Sequence, residues 1–180
     1  MRTWLQTLDS PLGPLTAAAL RDGTVVYLGF GLRDPRVRLL EVLDPEEAAL
    51  DPDPAALAPL RRQLEEYFAG RRRSFDLPLA PRGTPFQLRV WEELRRIPYA
   101  QTLSYGELAR RLGDPALTRA VGAANGANPI SIIIPCHRVI GANGALVGYG
   151  GGLPIKQALL ELERGQHVET HSLFTEKELE

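Results

Sequence analysis

Ser104-Tyr105-Gly106-Glu107-Leu108-Ala109-Arg110-Arg111-Leu112-Gly113-Asp114-Pro115 carries both signals that start a helix and signals that end one. Ser104 can accept from the amide three residues on while Glu107 reaches back to the Ser104 amide, which is a capping box. Leu108, Ala109 and Leu112 follow at helical spacing, Gly113 stops the run, and Asp114-Pro115 opens a second helix with Leu117, Ala120, Val121 and Ala124 expected inward. Small residues at Ala109, Ala120, Gly122, Ala123 and Ala124 would let the two helices approach closely. Two short helices around a glycine-containing turn make a helix-turn-helix candidate, and geometry alone leaves a generic helical hairpin open.

Downstream, Asn125-Gly126-Ala127-Asn128-Pro129 ends the second helix, and Ile132-Ile133-Ile134-Pro135-Cys136-His137-Arg138-Val139-Ile140 follows with strand-like apolar flanks. Cys136 is the only cysteine. A thiol beside an imidazole is a candidate nucleophile, because a reactive cysteine needs a base or a positive neighbourhood that favours thiolate. A free cysteine also serves as a small buried hydrophobe, so the local residues leave both readings open. Upstream of the capping box, Thr84 is a natural N-cap with Pro85 at the first helical position, and Phe86, Val90, Trp91 and Leu94 form an apolar stripe.

The first half reads differently. Residues 3 to 8 alternate, Leu15 to Leu20 is a second strand, and Arg21-Asp22-Gly23-Thr24 turns into Val25 to Phe30, an antiparallel meander. Weak helical periodicity over 35 to 43 precedes a segment with four prolines between Asp44 and Pro59. A helix is expected from about Pro54, capped by Asp53, to Phe68 with Gly70 as its stop, then the exposed Arg71-Arg72-Arg73 exit and a short strand at Ser74 to Leu77. Pro78-Leu79-Ala80-Pro81-Arg82-Gly83 reads as a linker. The fold expected is therefore α/β (α+β): an N-terminal domain over 1–80 with a small antiparallel sheet and helices, a mainly helical domain over 83–164 with the helix-turn-helix, and an acidic tail over 165–180.

Composition narrows the setting. With 180 residues, 44% of them hydrophobic, the chain can bury a real core. One cysteine forms no internal disulfide, the N-terminus carries Asp9 too early for a signal peptide, and no apolar run approaches membrane-spanning length. A reducing, cytoplasmic setting without a membrane follows as the expectation. The net charge of −1 hides a basic middle: residues 95 to 138 hold six arginines against Glu107 and Asp114, which suits a surface facing phosphate and also falls within the range of an ordinary solvated face. His167 and His171 stand four apart near the acidic end without a further ligand and read as solvated, so no metal is expected.

On Ile134-Pro135-Cys136-His137-Arg138-Val139, Tyr105, Arg119-Ala120-Val121-Gly122, Asn128-Pro129 and Gly148-Tyr149-Gly150-Gly151-Gly152-Leu153, residues 83 to 164 closely resemble the O6-alkylguanine-DNA alkyltransferase family, also called methylated-DNA–protein-cysteine methyltransferases. The first half resembles that family's more variable domain only in size and strand order. The resemblance implies a single, irreversible transfer of the alkyl group from O6-alkylguanine, and O4-alkylthymine, in double-stranded DNA to Cys136. The protein would act as a monomer and without a cofactor. It further implies that His137 draws the thiol proton through a water and that Glu163 orients the imidazole. On residue type alone, Glu163 near a helix end reads as solvated. Arg119 would enter the base stack in place of the flipped nucleotide, with Tyr105, Ala120, Ala123 and Arg138 also on the DNA side. Tyr105 would protonate the leaving guanine. Asn128 would link the helix-turn-helix to the active-site strand and stand with Tyr149 and Gly150 among the substrate-binding residues, where Tyr149 and Gly150 would hold the base. Relatives with a cysteine and histidine zinc site cannot be matched here, since the chain has one cysteine. The alternatives are a non-reactive lesion-binding or regulatory helix-turn-helix protein and, less compatible with these motifs, a cysteine hydrolase, which would need an oxyanion hole.

Overall fold

The computed structural model describes residues 3–31 and 55–166. The periodic segment at 35–43, the candidate cap Asp53, and the histidines at 167 and 171 lie outside them.

Three strands, β1 (Thr3–Leu8), β2 (Leu15–Leu20) and β3 (Val25–Phe30), form an antiparallel meander in the order β1-β2-β3. The register runs from Leu8 opposite Leu15 to Leu15 opposite Phe30, with an irregularity between Ala18 and Ala19. All six residues of β3 are buried. That strand is therefore covered on both faces, which explains why it reads as a continuous apolar run rather than an alternation.

Helix α1 spans Ala58–Phe68, so it starts later than the proline-rich approach suggested, with Leu57 at the N-cap and Pro59 in the first turn. Its inward face is Leu60, Gln63, Leu64 and Tyr67. Ser74 to Leu77 is not a strand. Gln63 instead holds that segment with two bonds, its Nε2 donating to the Asp76 carbonyl at 3.0 Å and its Oε1 accepting from the Asp76 amide at 2.9 Å. An amide side chain that satisfies both backbone groups of one residue does the work of a ladder partner. The Pro78–Gly83 segment is no free linker either. Val25 donates to Pro78 O at 2.8 Å and Ala80 donates to Val25 O at 2.9 Å, so the chain crosses between the halves as a one-residue parallel bridge beside β3.

Helix α2 (Pro85–Arg95) begins with the expected Thr84 cap, here completed into a capping box by Gln87. Trp91 Nε1 donates to Ala124 O at 2.8 Å, fixing α2 to the second helix of the helix-turn-helix. Gly83 permits this packing: a Cβ there would stand 2.5 Å from the Trp91 ring. Strand β4 (Leu103–Ser104) leads into α3 (Tyr105–Arg111), whose capping box joins Ser104 and Glu107 as read from the sequence. Caps of this kind contribute about 1 kcal/mol each. Gly113 makes the turn at φ +100°, a region that favours glycine. Asp114 then caps a 3₁₀ turn over Pro115–Leu117 before α4 (Thr118–Gly126) begins. Val121, Ala124 and Asn125 face inward, whereas Ala120 and Ala123 are exposed, contrary to the packing expected for them.

The Cys136 motif is not flanked by a strand on its N-terminal side. Cys136–Arg138 is a 3₁₀ turn, followed by β5 (Val139–Ile140), which pairs in parallel with β4. Helix α5 spans Leu153–Glu163. One hydrophobic core runs through both halves of the chain, from Leu8 and Leu28 through Trp91 and Val121 to Cys136 and Leu159.

Candidate active site

The loop before Cys136 is held from two directions. Leu28 of β3 donates to Pro129 O at 2.9 Å and accepts from the Ser131 amide at 2.7 Å, so the sheet edge grips the loop. Asn128, 8% exposed, spans the loop from inside: its Nδ2 donates to Ile134 O at 2.7 Å and its Oδ1 accepts from the Ile130 amide at 3.0 Å. Both ends of that amide are committed to backbone. Asn128 therefore shapes the loop that carries Cys136, and its expected place among substrate-contacting residues is corrected accordingly. Asn125 adds a weaker tie from α4, with Nδ2 3.4 Å from Cys136 O.

Cys136 is 5% exposed. Burial pushes its thiol up from the ordinary value, and the Asn128 amide, the Lys156 charge and nearby backbone amides only partly offset this. At rest the sulfur is a thiol, so a base must take its proton as reaction proceeds.

His137 can be that base. Its ring is fully buried, and desolvation pulls it below the ordinary imidazole value despite the attraction of Glu163. Nε2 lies 2.7 Å from Glu163 Oε1. An ionised carboxylate only accepts, so the neutral ring must carry its proton on Nε2, leaving a lone pair on Nδ1. Nδ1 is buried and has no protein partner among the described residues. No hydrogen bond joins the Cys136 thiol to the His137 ring among those residues, which fits the divergence of neighbouring side chains in a helical turn.

Glu163 is 4% exposed rather than solvated. Burial alone would raise its carboxyl, but hydrogen bonds and charges from His137 and Arg138 outweigh that and bring it to about 2. Oε1 also accepts from Tyr67 OH at 2.8 Å and Arg138 Nη2 at 2.9 Å, while Oε2 accepts from Arg138 Nε at 3.0 Å and the Ala100 amide at 3.0 Å. Arg138 additionally donates to Ile97 O at 2.6 Å and is 7% exposed. The expectation that Arg138 touches DNA is thus corrected: its guanidinium is spent inside the protein, neutralising Glu163.

Lys156, like Tyr67, is a side chain that the sequence pattern does not single out. It is one of only two lysines in the chain, and it is fully buried. Its Nζ donates to Val139 O at 2.5 Å, Val147 O at 3.0 Å and Gly148 O at 3.4 Å. It lies 5.8 Å from the Tyr105 ring centroid, and Tyr105 OH donates to the same Val147 carbonyl at 2.9 Å. Lys156 and Tyr105 together tether the glycine-rich loop over the thiol. Burial, then the proximity of Cys136, raise the Tyr105 hydroxyl above its ordinary value. Tyr149 in that loop is half-buried with its hydroxyl enclosed, and Gly150 is exposed. On the outer face of α4, Arg119, Ala120 and Ala123 are all exposed. Arg119 makes no hydrogen bond or ion pair among the described residues. No group of metal-binding side chains occurs among the described residues, and none of their helices is long and apolar enough to cross a membrane.

Residues 5–81 match the model of the 6-O-methylguanine DNA methyltransferase ribonuclease-like domain, and residues 85–165 match that of the DNA binding domain of the same family. A methylated-DNA–protein-cysteine methyltransferase of Mycobacterium tuberculosis is 49% identical over 170 residues, covering 94% of this chain and 97% of its own. The chain belongs to the methylated-DNA–protein-cysteine methyltransferase family. Another member, from Methanosarcina acetivorans, is 47% identical over 156 residues, covering 86% of this chain and 94% of its own. The Mycobacterium tuberculosis OGT solved in complex with DNA superposes with a TM-score of 0.82 at 46% identity, over 96% of this chain and 99% of that one. The mixed α/β fold and the assignment as a DNA-repair methyltransferase with cysteine as alkyl acceptor follow from these matches.

Proposed function

We propose that the protein repairs O6-alkylguanine, and O4-alkylthymine, in double-stranded DNA by one irreversible transfer of the alkyl group to Cys136, acting as a monomer and without a cofactor. The observation that carries this reading is the buried neutral pair: a thiol that keeps its proton at rest, beside an imidazole whose Nε2 proton is fixed on Glu163 and whose Nδ1 is free. His137 takes the thiol proton, through a water as the family resemblance implies, while Sγ attacks the alkyl carbon. The S–C bond forms, the C–O6 bond breaks, and the guanine leaves with its bonding pair. Tyr105 supplies the proton the departing base needs. Its hydroxyl, kept protonated by burial, is suited to that donation. The thioether has no second thiol to pass the alkyl group to, so each molecule turns over once.

A base stacked in a duplex cannot reach a buried sulfur, so it must be flipped out. Arg119 on the open face of α4 is the side chain free to fill the gap, with small Ala120 and Ala123 beside it admitting the DNA backbone. Tyr149 and the amide of Gly150 then enclose the extruded base. The solved relative in complex with DNA supports this partner for the present chain. The test is mass spectrometry of the Cys136 peptide after exposure to an oligonucleotide bearing O6-methylguanine. One methyl on that peptide, and none with Cys136→Ala, is expected. An unmodified peptide, or equal repair by Cys136→Ala, would refute the reading.

A further inference from the structure

Four of the five donor groups on Glu163 come from the C-terminal half. The fifth does not. Tyr67, at the end of α1 and 96 residues away in sequence, places its hydroxyl 2.8 Å from Oε1, the same oxygen that His137 Nε2 reaches at 2.7 Å. Tyr67 is fully buried. Its ring is fixed by Phe68, Phe75 and Tyr99 at centroid distances of 5.4, 5.5 and 6.3 Å, so the hydroxyl has little freedom to leave. We propose that Tyr67 is a positioning residue for alkyl transfer, supplied by the N-terminal half: its hydroxyl holds Glu163 Oε1 in place and tempers the pull of that carboxylate on His137.

The inference rests on the reading that His137 receives the thiol proton. Oε1 shares its lone pairs among Tyr67, Arg138 and His137, and each additional donor draws charge from the oxygen. A carboxylate so occupied still orients the imidazole through Nε2 but stabilises the imidazolium less, keeping Nδ1 available as a base near neutral pH. The titratable and charged groups facing the His137–Glu163 pair are Arg138, Lys156, Cys136, Tyr67, Tyr99 and Tyr149. Arg138 and Lys156 act in the same direction as Tyr67, disfavouring a proton on His137. Tyr67 is the tyrosine of this group that donates to Oε1, and its hydroxyl can be removed without removing a charge or emptying the core.

The experiment follows the full-length protein with the His137 imidazole resonances and with single-turnover transfer from an O6-methylguanine duplex across pH. In Tyr67→Phe, which keeps the ring, transfer to Cys136 persists, the His137 midpoint moves upward by about half a unit, and the neutral-pH rate falls severalfold, more than that shift alone would produce, because Oε1 is no longer held. A fluorotyrosine installed at position 67, a stronger donor of the same shape, moves the midpoint downward. Leu64→Ala loosens α1 without touching Glu163 and leaves the midpoint where it is, even as the thermal midpoint drops. An unmoved midpoint in Tyr67→Phe, or an equal shift in Leu64→Ala, would show that Tyr67 only packs. Transfer by His137→Gln at the wild-type rate would instead remove the proton-relay reading itself, and this inference with it.

Discussion

The cluster around Glu163 and the outer face of α4 serve the same reaction with opposite physical designs. Inside, His137, Arg138, Tyr67 and the Ala100 amide all converge on one carboxylate that is 4% exposed. Both oxygens of that carboxylate are bound before substrate arrives, while His137 Nδ1 is left open. Outside, Arg119 is exposed and engages nothing among the described residues, with the small Ala120 and Ala123 exposed on the same helix. The first arrangement spends folding energy to fix a proton relay; the second leaves its cation unengaged so that it can enter DNA. Mutations should therefore separate: buried changes cost stability and rate together, exposed changes cost repair alone.

Glu163→Ala is the harshest trial of that contrast. It strands the Arg138 guanidinium and the Tyr67 hydroxyl in the interior and frees the imidazole, so a loss of roughly 3–5 kcal/mol in urea unfolding is expected. The single-turnover rate should fall by about two orders of magnitude or more. A full loss of rate with unchanged stability would mean that the cluster is not structural. Arg119→Ala should do the reverse. Its unfolding free energy should stay within about 0.5 kcal/mol of wild type. Repair in duplex DNA should drop about tenfold or more while transfer from a free O6-alkylated base is little changed, because only the duplex asks for a filled gap. Equal losses on both substrates would erase the distinction.

Acid should divide the two regions next. Glu163 titrates at about 2 in the folded protein against a reference of 4.5, so the folded state holds fewer protons and its advantage is present above 4.5 and lost as pH falls toward 2. His137 acts in the same sense from a higher starting point, since its folded value lies below 6.5 and the unfolded chain takes up the proton first. Stability by urea unfolding should thus decline steadily below about pH 6.5, and more steeply in the Glu163 window. Glu163→Gln should flatten the lower part of the curve, and Arg119→Ala should leave its shape intact.

What was readable beforehand follows the range of the interactions. The Ser104–Glu107 and Thr84 caps, the Gly113 stop and the β1–β3 meander depend on residues a few positions apart, and they stand where the pattern put them. In the second helix of the helix-turn-helix Val121 and Ala124 are buried as their spacing implied, and of the inward set only Ala120 is exposed. Leu117, in the 3₁₀ turn that Asp114 caps, packs on the core partly buried, and Asn125 is the polar residue buried beside Val121 and Ala124. The burial of Arg138 and Lys156 was invisible. Cations read as surface until a carboxylate or a set of carbonyls, contributed by distant segments, is seen to surround them. Tyr67 belongs to the same class: nothing near it in sequence hints at Glu163.

Gly150→Ser tests a smaller difference, on the glycine-rich loop between β5 and α5. Gly150 is exposed, and a Cβ at its position would meet nothing within 4 Å, so serine should fit with a stability change of less than about 0.5 kcal/mol. The effect should lie in the choice of substrate. A hydroxymethyl group beside the entrance takes room from a bulky alkyl group and little from a methyl. The ratio of benzyl to methyl transfer rates should therefore fall about five- to tenfold, with methyl transfer itself nearly unchanged, since a group of this size is worth about 1 kcal/mol or a little more in discrimination. An unchanged ratio would mean that the alkyl group points away from Gly150, toward the side of the pocket that Lys156 and Tyr105 hold fixed.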